Sequence, residues 1–136
     1  MSDPRDDGGV RAALLIAYGL FLAAPFNGVT AIAGVIVAYL RRDEARGTIW
    51  ESHFRNLIRV FWISAAVLVV AIFAVLEAFG GLFFSLVTTN GNPPPQLVGE
   101  LILLVPAFWL AGLVFAVWYL YRTLRGLIRA LDGQPY

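Results

Sequence analysis

Val60-Phe-Trp-Ile-Ser-Ala-Ala-Val-Leu-Val-Val-Ala-Ile-Phe-Ala-Val-Leu76 decides the fold. It contains no Asp, Glu, Lys or Arg, and its apolar residues fall on every side of a helix. A helix apolar all round must be buried in a large core or in lipid. Outward from it, residues 12–40, 78–99 and 101–121 are also free of charge. Uncharged, mostly apolar stretches of about 18 or more residues are long enough to cross a bilayer as helices. A chain of 136 residues, 60% of them hydrophobic, cannot supply a protein core for three such helices. The expected fold is an all-α, polytopic membrane helical bundle, one transmembrane domain over residues 1–136. Its hydrophobic segments lie at about 12–40, 57–79 and 97–121, with interfacial helix parts at about 48–58 and 122–131.

Segment one would be roughly 43 Å long as a straight helix, against about 30 Å of hydrocarbon. Its middle reads Ala24-Pro25-Phe26-Asn27-Gly28. Proline removes a backbone donor and clashes with the preceding turn, and Asn-Gly favours a turn. The segment is therefore expected to be broken near residues 25–28. It then forms either one kinked, tilted span or a re-entrant hairpin. The halves are short for full spans, so a single broken span is expected. Ala23-Ala24-Pro25 mimics a signal-peptide cleavage site, but the acidic start and the apolar run to Leu40 argue for a retained helix.

Segment two opens on Thr48-Ile-Trp-Glu51, the pattern of a capping box, and should run to about Phe79, with a weak point at Gly80-Gly81. In its first turns Trp50, Phe54, Leu57, Ile58 and Phe61 share a face, while Glu51, Arg55 and Arg59 follow at i, i+4 spacing. Thr88-Thr-Asn-Gly-Asn-Pro-Pro-Pro-Gln96 reads as a loop, and Pro106 should kink segment three. Beyond it, Arg122, Arg125 and Arg129 fall on one helical side and Leu124, Leu127, Ile128 and Leu131 on the other, as in a helix lying at a membrane surface.

Arginine asymmetry sets the orientation. Residues 41–59 hold five arginines and the stretch after 121 holds three, while the 88–96 loop holds none. The first two regions, and with them the C-terminus, should be cytoplasmic and the loop outside. Tyr39, Trp50, Trp62, Trp118, Tyr119 and Tyr121 would line the inner interface.

The chain offers few chemical sites. Glu77 and Glu100 interrupt apolar runs at similar depth and form a candidate ion or proton site. Both also lie near span ends, where side chains reach headgroup water, and that plainer role is expected of them. Arg55, Arg59, Arg122, Arg125 and Arg129, with the single histidine His53, are candidate contacts to lipid or a partner. A basic residue near an anionic leaflet contributes about 1 kcal/mol. One His without Cys cannot make a metal site, so neither metal nor cofactor is expected. No nucleophile–base set or nucleotide motif appears, so no enzyme is expected, and a net charge of +1 gives no reason for a nucleic-acid partner. Thr30-x3-Gly34-x3-Ala38 and Gly112-x3-Ala116 have the spacing of close helix contacts.

Glu51-Ser-His-Phe-Arg-Asn-Leu-Ile-Arg-Val-Phe-Trp-Ile63 resembles the H-[YF]-R-x-x-I-R-x-F-W-I stretch of a family of uncharacterised small bacterial inner-membrane proteins. Trp118-Tyr-Leu-Tyr-Arg-Thr-Leu-Arg-Gly-Leu-Ile-Arg-Ala-Leu-Asp-Gly-Gln-Pro135 resembles its C-terminal R-x-x-[KR]-G-L-x-x-L-x-x-G-x-P. That family is distantly similar to the Tic import-channel proteins of chloroplasts. The resemblance implies fold, topology and a place in the bacterial inner membrane, and it brings no chemistry. The expected function is a non-enzymatic accessory or assembly protein, acting through helix packing and an arginine-rich cytoplasmic surface. Its partners would be anionic lipid at that face and a membrane protein or a second copy of itself. The alternative is a small transport or channel component acting as an oligomer.

Overall fold

The computed structural model describes residues 4–136, with side chains from Gly8 onward. Its helices are α1 (Pro4–Ala23), α2 (Val29–Arg42), α3 (Trp50–Thr88) and α4 (Pro95–Leu131), with no strand among the described residues. At 1.5 Å per residue, α3 and α4 are each well over 50 Å long, beyond the thickness of a bilayer core. The chain divides into two compact units. One holds residues up to 63 together with 118–136, and the other holds 64–117.

The second unit consists of the later part of α3, the turn after it and the earlier part of α4. Its large apolar side chains face outward: Leu68, Val70, Phe73, Leu76, Phe83, Leu103, Trp109 and Leu113 are all exposed. α3 and α4 are long and apolar enough to cross a membrane, and almost none of their most hydrophobic stretches is buried in protein. α3 does not stop at Phe79, and Gly80 and Gly81 remain helical. Two glycines cost roughly 1 kcal/mol each against alanine, too little to end a helix flanked by apolar residues on both sides. The break comes where Asn90 and Gly91 adopt positive φ and the Gly91 N–H closes on the Leu86 carbonyl. α4 restarts on Pro95, whose missing N–H costs nothing at a first helical position. It then continues through Pro106.

In the first unit, segment one departs from the expected single span. The break lies where the sequence puts it, between Ala23 and Val29. But α2 folds back along α1, so the two halves form a hairpin. The contact is close because Gly34 has no side chain: a Cβ there would lie 2.7 Å from the Phe21 ring and 3.3 Å from the Ala17 carbonyl. Ala38, one turn on, is also buried. Packing of this α2 stripe onto α1 outweighs continuation of a helix that proline has already interrupted. The partner motif, Gly112 and Ala116, is exposed.

The α3 cap forms with a small shift. Thr48 Oγ1 accepts the Trp50 N–H at 3.3 Å and donates to the Ala45 carbonyl at 2.7 Å. Glu51 Oε2 accepts from the Gly47 N–H at 3.1 Å, one residue before the position an ideal box would use. Gly47 takes φ +76°, which glycine adopts without strain. Thr48→Ala should weaken this helix end by about 0.5–2 kcal/mol, since a first-turn donor loses its acceptor. Amide exchange at Trp50 should speed up, while Glu51, whose N–H goes to the Thr48 carbonyl, should change less. Unchanged exchange at Trp50 would show that the hydroxyl is not the cap.

Candidate functional site

The polar centre of the first unit is built around His53, which is fully buried. Nε2 lies 2.7 Å from the Gln134 carbonyl and Nδ1 lies 3.0 Å from the Tyr18 hydroxyl. A carbonyl can only accept, so Nε2 carries the proton, and in the neutral ring Nδ1 accepts from Tyr18. Trp50 and Tyr136 pack against the imidazole. Burial pushes the His53 pKa below its ordinary value, the Arg129 charge acts the same way, and the Gln134 hydrogen bond opposes both.

Four elements meet here, each for a local reason. α1 brings Tyr18, with Leu14, Ala17 and Phe21 on the same buried stripe. α3 brings His53, Phe54, Asn56, Leu57 and Val60, so the apolar face read as interfacial is a core face instead. α4 contributes Tyr119, Thr123, Gly126 and Ala130, a stripe of small or polar residues at i, i+4, i+7, i+11. Gly126 is required by Tyr18: a Cβ there would collide with the hydroxyl and meet ring carbons at 2.7 Å. Thr123 returns its hydroxyl to the Tyr119 carbonyl, the usual solution for a buried threonine in a helix. The fourth element is the stretch after α4. Gly133, at φ +66°, ends the helix with its N–H on the Ala130 carbonyl and the Gln134 N–H on the Arg129 carbonyl. This Schellman closure turns the chain back over α3. The Tyr136 N–H then donates to Ser52 Oγ at 3.0 Å, and Arg129 Nη1 reaches the Pro135 carbonyl.

The predicted site residues separate. His53 does not lie on an open polar helix face: it is fully buried, and the returning C-terminal stretch covers it. Arg122 is half-buried: its Nε donates to Asn56 Oδ1 at 3.0 Å and Tyr136 Oη at 3.1 Å, and its guanidinium lies over the Trp118 and Tyr136 rings. Arg55 pairs with Glu51 at 2.7 Å, and the Gly47 N–H, then Arg55, hold the Glu51 carboxyl below its usual range. Arg59 and Arg125 are exposed, and Arg129 is half-buried. The expected split of residues 122–131 into arginine and leucine faces is only part of the pattern, because Leu124, Ile128 and Leu131 are exposed while the small stripe is buried. Glu77 and Glu100 are both exposed on the second unit.

Among the described residues, no three His, Cys, Asp or Glu side chains come together as a metal site. All ten arginines belong to the first unit, and the only charged residues of the second are Glu77 and Glu100. Sequence reasoning missed Tyr18, Asn56, Gly126 and Tyr136. A polar side chain inside an uncharged run was the available signal for Tyr18, and the i, i+4, i+7 spacing from Tyr119 was the signal for Gly126. No family model, curated protein or solved structure matches this chain.

Proposed function

We propose that this chain is a multi-pass bacterial inner-membrane protein of the small family it resembles, and that it acts as a non-enzymatic accessory or assembly factor. One observation carries the reading: charge and apolar surface are segregated between the two units. The unit over 64–117 presents apolar side chains outward, as lipid-facing helices do, while the other holds every arginine around a closed, hydrogen-bonded core. A core already filled by His53, Tyr18 and Gly126 leaves the outer arginines, Arg55, Arg59 and Arg125, as the working surface. Fixed positive charge at the cytoplasmic face suits anionic lipid headgroups and an acidic surface on a membrane partner.

The chain has no lysine, so amine crosslinkers have nothing to react with on this surface, and a photoreactive residue in place of Arg59 or Arg125 is the suitable probe. In native membranes both positions should crosslink to anionic phospholipid and to one heterologous membrane protein. Ladders of self-crosslinked chain alone would overturn the accessory role in favour of an oligomeric transport component.

A further inference from the structure

We propose that the α1–α2 hairpin is a re-entrant wedge, which inserts its tip at residues 25–28 among the acyl chains of the leaflet on the arginine side without crossing it. The inference rests on the membrane reading above and adds the lipid-inserting element.

Three contacts set the direction of the hairpin within its unit. Arg11 Nη2 donates to the Leu131 carbonyl at 3.1 Å, Tyr18 packs on Gly126, and the Tyr119 hydroxyl donates to the Phe21 carbonyl at 2.7 Å. α1 therefore runs antiparallel to the end of α4. Arg11 is level with the last turn of α4, and the end of α1 is level with Tyr119, inside the apolar segment that closes at residue 121. The tip continues beyond that level by a few residues, about 7 Å of rise. α2, with 14 residues, spans about 21 Å and is too short to cross about 30 Å of hydrocarbon. Charge agrees: Arg11 stands at one base and Arg41 and Arg42 at the other, with no charged residue among the 29 positions between them, residues 12–40.

The surface of the hairpin is apolar where lipid would touch it. Phe26 is 93% exposed at the tip, and Val29, Ile32 and Ile36 continue an exposed stripe down α2. Tyr39 and Trp62 lie lower, hydrogen-bonded to each other at 2.9 Å, an aromatic pair of the kind found at headgroup level.

The polar groups of the turn give an independent reason. Backbone in hydrocarbon must satisfy its own hydrogen bonds, whereas a turn in water need not. Pro25 cannot donate to the Phe21 carbonyl, and that carbonyl takes the Tyr119 hydroxyl and the Ala24 N–H instead. The Phe26 and Asn27 N–H groups both close on the Ala23 carbonyl. Asn27 Oδ1 accepts the Val29 N–H, and its carbonyl takes the Thr30 N–H and hydroxyl. These N–H groups and the Asn27 side chain find their partners close to the turn, and its one large side chain, Phe26, is exposed.

The chain has no cysteine, so single thiols can report position. Gly8→Cys, Phe26→Cys, Asn92→Cys and Asp132→Cys should be probed with an impermeant maleimide in right-side-out and inside-out membrane vesicles. Asn92→Cys should label only from the outer side, and Gly8→Cys and Asp132→Cys only from the inner side. Phe26→Cys should label from neither until detergent is added, and a nitroxide on it should meet oxygen far more readily than a nickel chelate. Gly28→Cys, where nothing lies within 4 Å of an added Cβ, serves as a second tip probe should Phe26→Cys fail to fold. Gly8→Cys labelling from the side of Asn92→Cys would mean that segment one crosses the membrane, and the proposal falls. Tip labelling in inside-out vesicles would place the turn in water, and a nitroxide shielded from both relaxants would mean that protein covers it; either result also overturns the wedge. Asn92→Cys and Asp132→Cys labelling alike would instead remove the spanning arrangement on which the wedge depends, a separate and recognisable failure.

Discussion

Gly126→Val should unfold the arginine-bearing unit or cost it about 3 kcal/mol or more, the upper end of overpacking penalties. The position lies on a helix, so a branched side chain causes no local difficulty there, and α4 alone would tolerate it. The obstacle is Tyr18. A Cβ at 126 already meets the tyrosine ring at 2.7 Å and its hydroxyl closer still. Tyr18 cannot swing away, because it is fully buried and its hydroxyl is held by His53 Nδ1 at 3.0 Å. Gly126→Ala should be milder, since alanine regains about 1 kcal/mol of helix propensity against the same clash. Thermal unfolding in detergent micelles, followed by Trp fluorescence, measures both. Gly112→Val is the control, because an added Cβ there meets nothing. Adding Tyr18→Leu to Gly126→Ala should recover part of the loss, as expected of residues in direct contact. A Gly126→Val protein that melts like wild type would show that α1 and α4 do not pack as described.

Element type was legible because it rests on local signals. Long uncharged runs become long helices whatever surrounds them, and Pro25 with Asn27-Gly28 stops a helix wherever it sits. The arrangement of the two halves of segment one was not legible. Break chemistry is the same in a kinked span and in a hairpin, and the choice depends on whether Gly34 meets Phe21, a contact between residues on separate helices. Gly80-Gly81 was misjudged for the opposite reason: a local penalty was given more weight than the apolar helix around it. The His53 cluster was hidden because it combines residues from four elements. His53 in Ser52-His53-Phe54-Arg55 has the sequence appearance of a wet helix face. Only the turn at Gly133, which carries Gln134 back to Nε2, makes it a buried one. The arginine asymmetry, by contrast, was readable in full, because it depends on position along the chain alone.

Acidification should loosen the same unit, and His53 should be the cause. Its folded pKa is lowered, by burial first and by Arg129 second, so below its ordinary value of 6.5 the unfolded chain binds more protons than the folded one. Stability from the neutral ring is then complete above pH 6.5 and is lost as pH falls from there through the lowered folded value. The geometry gives the same sign. A second ring proton would turn Nδ1 from acceptor to donor, force the Tyr18 hydroxyl to reverse, and leave a cation enclosed by Trp50, Tyr136 and Tyr18 with Arg129 nearby. His53→Gln can keep both hydrogen bonds, donating to the Gln134 carbonyl and accepting from Tyr18, without titrating. It should therefore melt close to wild type near pH 8 and lose much less on the way to about pH 5. His53→Ala keeps neither bond and should lose about 2–4 kcal/mol against wild type near pH 8, through the unpaired hydroxyl and the cavity left behind, with the difference narrowing on acidification. If wild type and His53→Gln weakened with equal steepness over this range, another group would be responsible, and His53 would have only a packing role.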